Sequence, residues 1–107
     1  MITMKQTAPE QFSILDNGNV VAYCHFTSDA DRLIIKDIFE NDQIDGLDAY
    51  DALLRAVASF TAPLNFSKVV CYNESMFDRL ALLRFEAALD CMQSTPEEVL
   101  RHLCKDA

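Results

Sequence analysis

The dipeptide Asn17-Gly18 sits between two apolar-rich runs, and no other pair in the chain constrains the fold as tightly. A two-residue hairpin loop of type I′ needs positive φ at both central positions, and asparagine and glycine supply it at the least steric cost. The flanks, 11–16 (QFSILD) and 19–27 (NVVAYCHFT), therefore read as paired strands. Side chains alternate along a strand, so Val20, Ala22, Cys24 and Phe26 are expected on one face and Val21, Tyr23 and His25 on the other. A polar turn over 28–31 leads into a third strand, 32–39 (RLIIKDIF), which completes an antiparallel meander. The only other glycine is Gly46. Glycine this scarce is expected where the backbone needs its freedom.

The period then changes. Residues 40–46 are polar and read as a loop. Leu47, Tyr50, Leu53, Leu54 and Val57 recur at helical spacing and predict a helix over 46–60, ended by Pro63. Residues 68–72 (KVVCY) predict a fourth strand, and a strand reached through a crossover helix is expected to pair in parallel. Asn73 and Ser75 are both suitable caps for a second helix, 75–83, with Met76, Phe77, Leu80 and Leu83 as its inner stripe. Residues 85–91 read as a last strand. Thr95-Pro96-Glu97-Glu98 has the form of a helix start, and the helix 96–104 would bury Val99, Leu100 and Leu103. The order β-β-β-α-β-α-β-α is that of an α/β (α+β) domain with a mixed central sheet.

At 107 residues the chain has room for a single domain, 1–107, whose folding hides roughly 65% of the unfolded surface. No apolar run reaches the ~18 residues of a membrane span, and the first residues, which hold no apolar stretch, are not expected to act as a secretory leader. The net charge of −8 repels phosphate backbones, so nucleic acid and anionic membranes are excluded as partners. Four cysteines, Cys24, Cys71, Cys91 and Cys104, form no C-x-x-C pair. The expectation is free buried thiols in a reducing, cytoplasmic setting. No ligand cluster for a metal is present: His102 and Cys104 are two apart on a helix and point apart.

Three features, taken in order, resemble the GNAT (GCN5-related N-acetyltransferase) superfamily over roughly 12–90. They are the meander, Ala52-Leu53-Leu54 in the first helix, and Asn73 followed twelve residues later by Phe85. The resemblance implies a GNAT-like core lacking the usual strand and helices ahead of the meander. Their loss would leave sheet edge and apolar surface for a partner to cover, hence an expected homodimer. It also implies acetyl-CoA as cofactor, if the domain is active. The coenzyme would be bound by Ile38 and Phe39 of the third strand, Gln43 and Gly46 of the loop, and Asn73. Asp37 and Glu40 would be candidate bases, with His25 on the neighbouring strand.

Several positions depart from the family pattern. Asp48 stands where the family has a glycine in either alignment of the loop, and Asp42, Asp45 and Asp51 crowd the same turn. An anion is drawn to a helix N-terminus by free amides and the dipole, and these carboxylates oppose it. The tyrosine that would protonate the leaving thiolate is Leu80, and a glycine before the final phenylalanine is Arg84. Two functions stand open on these residues. One is a non-catalytic GNAT-like module that binds a small molecule or a protein. The other is a divergent acyl-CoA-dependent N-acetyltransferase.

Overall fold

The computed structural model describes residues 2–40 and 48–104. Among the described residues seven strands form one mixed sheet: β1 (Ile2–Ala8), β2 (Gln11–Asp16), β3 (Asn19–Asp29), β4 (Arg32–Glu40), β5 (Lys68–Cys71), β6 (Glu86–Ala87) and β7 (Met92–Ser94). Their spatial order is β1-β2-β3-β4-β5-β7-β6. The helices are α1 (Ala49–Thr61), α2 (Phe77–Leu82) and α3 (Pro96–Cys104), with 3-10 turns over Ala62–Leu64 and Glu74–Met76.

The hairpin forms as its sequence requires: Asn17 has φ 52° and Gly18 φ 85°. The strand ahead of it is a correction. The sequence reading begins the meander at residue 11, yet Ile2–Ala8 pairs antiparallel with β2. Every residue of β1 is exposed, so it carries no buried apolar face from which a strand could be read. The meander thus has four strands.

Of three register shifts in the meander, one in β1 and two further in, the inner two set the faces of the sheet. Ile14 opposes Ala22 while Leu15 opposes Val20, so Val21 is an extra residue in β3. This overturns the simple alternation at that end: Val20 is exposed and Val21 buried. The second bulge is in β4, where His25 opposes Asp37 but Phe26 opposes Ile35, leaving Lys36 as the extra residue. A bulge bends its strand and re-aims the side chains after it. Phe12, Ile14, Ala22, Cys24, Phe26, Leu33, Ile35 and Ile38 form the core face, packed with Ala52, Leu53, Leu54 and Val57 of α1. The opposite face carries Gln11, Tyr23, His25, Asp37 and Phe39.

β4 and β5 are parallel, as the crossover implies, but only Arg32, Leu33 and Ile34 have partners, at Lys68, Val69 and Val70. From Ile35 onward β4 has no ladder partner on that side among the described residues. The expected last strand, 85–91, is instead two short strands around a turn closed by Ala88 N–H donating to the Cys91 carbonyl at 2.8 Å. β7 then pairs antiparallel with β5.

Candidate functional site

Two groups of side chains lie along the far half of β4. The first surrounds the start of α1. Asp48 is the helix cap: its Oδ1 accepts from the Tyr50 and Asp51 amides at 3.1 and 3.4 Å. Arg79 of α2 reaches the same carboxylate, with Nη2 at 3.0 Å from Asp48 Oδ1 and 3.7 Å from Glu40 Oε1. Its guanidinium lies over the Tyr50 ring, 4.1 Å from the centroid. Burial raises the Tyr50 phenol above its ordinary range; Arg79 opposes the shift, while Glu40, Cys71 and Asp37 add to it. Tyr50 therefore sits where α1, β4, β5 and α2 converge.

The second group lies on the open face of the sheet. His25 Nδ1 is 3.0 Å from Asp37 Oδ1. Its other nitrogen, Nε2, faces Gln11 Oε1 at 2.7 Å. The Gln11 amide nitrogen donates to Thr7 Oγ1 and Ser13 Oγ, at 2.9 and 3.3 Å. Nε2 therefore carries a hydrogen, and the contact with Asp37 becomes a hydrogen bond when Nδ1 carries one as well. Tyr23 stacks on Phe39 at 5.2 Å and lies 4.7 Å from the His25 ring.

The expected site residues are thus distributed over the structure. Asp37 pairs with His25, and Glu40 with Arg79. Ile38 is buried against α1, so its side chain is core; Phe39 is exposed. Asn73 spans the gap between the diverging strands: Nδ2 donates to the Lys36 carbonyl at 3.2 Å, while Oδ1 accepts from the Ser75 amide at 3.2 Å. Gln43 and Gly46 lie outside the described residues. Leu80 is fully buried. Arg84 has φ 71°, a left-handed conformation that suits a glycine. Burial raises the Cys24 and Cys71 thiols, so neither is a ready nucleophile. Among the described residues no cluster of His, Cys, Asp or Glu could hold a metal ion.

Three residues were missed in the sequence: Arg79, Gln11 and Tyr50 in a polar role. Arg79 lies 31 positions from Asp48, and no spacing rule connects them. Tyr50 was legible only as an apolar helix position.

No protein-family profile and no curated protein matches the sequence. Solved structures do. A cAMP-binding acyltransferase from Mycobacterium smegmatis superposes with a TM-score of 0.59 and 12% identity, over 89% of this chain. The chain spans only 37% of that protein's length. An N-acetyltransferase from Staphylococcus aureus Mu50 superposes with a TM-score of 0.60 and 14% identity, over 80% of this chain and 67% of the other. The fold is GNAT-like, an α+β arrangement around a mixed sheet.

Proposed function

We propose that this GNAT-fold domain is a non-catalytic module, binding a small molecule or a protein partner without transferring an acyl group. One observation carries the proposal: the Asp48 carboxylate already occupies the amides at the start of α1, and Arg79 holds it there. A free helix N-terminus attracts a phosphate with ~0.3–1 kcal/mol from the dipole at a surface site. A single carboxylate ~5 Å away costs a phosphate roughly 3 kcal/mol at an effective dielectric of about 20. Arg79 offsets part of that repulsion, so the occupied amides weigh more than the sign of the charge. Leu80 adds to the argument, since a buried alkyl group cannot return a proton to a thiolate.

The domain is proposed to act in the cytoplasm as a homodimer. Cys24, Cys71 and Cys91 are free and buried, which a reducing compartment preserves. No described helix is long and apolar enough to cross a membrane.

Thermal melting with and without millimolar acetyl-CoA tests the reading. The midpoint is expected not to move. A coenzyme bound at about a hundred times its Kd would add ~2.7 kcal/mol, and a rise of several degrees overturns the module.

A second reading, the divergent acyl-CoA-dependent N-acetyltransferase, draws on the open edge of β4 and on two proton-handling groups. The His25–Asp37 pair would take a proton from an amine, with Glu40 as the other candidate base. Tyr50 would replace the missing tyrosine. That reading requires acetyl-CoA turnover that falls at least about a hundredfold in Tyr50→Phe, the usual worth of a positioned acid.

A further inference from the structure

The turn between β1 and β2 and the β4 bulge border an open cleft of about 440 Å³. Its lining is Ala8, Pro9, Glu10, Gln11, His25, Phe26 and Lys36. This volume falls within the ~300–1,000 Å³ range of small-molecule sites.

Both rims are fixed. On one side, the Phe26 amide donates to the Glu10 carbonyl at 3.0 Å. The Thr27 hydroxyl donates to Glu10 Oε2 at 2.6 Å. On the other side, Lys36 is the extra residue of the bulge, and Asn73 holds its carbonyl. The floor is largely committed: the Gln11 amide bonds His25, Thr7 and Ser13, and the second ring nitrogen of His25 faces Asp37.

Two opposite charges therefore remain for an incoming molecule. Among the described residues neither Glu10 nor Lys36 has an ion-pair partner, and they do not pair with each other although they line one cleft. A simple anion meets the Glu10 carboxylate, and a simple cation meets the Lys36 ammonium. A zwitterion satisfies both. Ala8, Pro9 and Phe26 add an apolar part to the same lining.

From this arrangement we infer that the cleft binds a small α-amino acid with an apolar side chain. Its carboxylate pairs with Lys36, its ammonium pairs with Glu10, and its side chain lies on Pro9 and Phe26. The site is separate from the start of α1 and stands whether or not the coenzyme binds.

The test is a titration of the uniformly ¹⁵N-labelled protein with L-leucine, followed by amide shifts. Two half-ligands run beside it: 4-methylpentanoate, which lacks the ammonium, and 3-methylbutylamine, which lacks the carboxylate. Leucine is expected to move the amides of 8–11, 25–27 and 36, with a Kd on the order of 1 mM. Each half-ligand, and each of the variants Lys36→Met and Glu10→Gln, is expected to bind about fivefold more weakly. Both substitutions are at exposed positions, and unchanged shifts elsewhere confirm that the fold is kept. Half-ligands binding as well as leucine overturn the proposal. So do shifts confined to another region, or no shifts at all.

Discussion

Asp31 shows what one side chain does in this fold. Its Oδ2 accepts from the Ser67 hydroxyl at 2.6 Å, and its backbone carbonyl accepts from the Ser67 amide at 2.7 Å. The turn after β3 is thereby tied to the residue before β5. The Ser67 hydrogen bond is the main cause that holds the Asp31 carboxyl below its ordinary range. A depressed carboxyl contributes stability above its unfolded value and loses that contribution as the pH falls through the folded one. Ser67→Ala is therefore expected to lower stability at neutral pH, by a smaller margin once the pH drops below about 4. Urea midpoints for both proteins at about pH 7 and about pH 3 measure this, and an equal gap at the two pH values contradicts it. The exposure of Asp31 keeps the effect small.

At the scale of elements, local rules and tertiary geometry part company at the end of α2. The Phe85 amide donates to the Leu80 carbonyl at 3.0 Å and the Arg84 amide to Ala81 at 3.2 Å. This is the Schellman arrangement, which turns on a left-handed residue. Arg84 fills that position at φ 71°, at a cost of ~1–2 kcal/mol for a residue with a Cβ. Its ion pair with Glu98 at 3.8 Å is partly exposed and returns little. Arg84→Gly is expected to raise the stability by about 0.5–1 kcal/mol, read from the denaturation midpoint. A loss of stability would show that the Glu98 contact outweighs the strain. The element types were otherwise legible: hairpin, crossover helix, parallel strand and final helix follow from period and turn residues. The 85–91 segment was not, because an apolar run of that length reads the same whether straight or folded back.

The whole molecule has a radius of gyration of 13.1 Å, close to the ~13 Å of a self-contained domain of this length. Among the described residues its edge strand β1 is nonetheless unpaired on the outer side, and β1 exposes Ile2 and Met4. An open edge of this kind is a template for a further strand. Within the proposed function, a dimeric mass is expected by light scattering at micromolar concentration, and Met4→Lys is expected to shift it toward the monomer. A monomeric mass for the unaltered chain contradicts the homodimer.

The sequence by itself determined the β2–β3–β4 part of the meander, the crossover and the GNAT-like order, because these depend on neighbours within a few residues; the exposed β1 left no such signal. It also placed an acid, Asp48, at the start of α1. Only the tertiary structure decided what that acid does. Arg79 comes from a distant helix to hold Asp48, and a bulge one residue long turns Lys36 toward the same cleft as Glu10. Residue periodicity carries no record of such meetings, since they depend on how far two strands diverge and where the chain is one residue out of step.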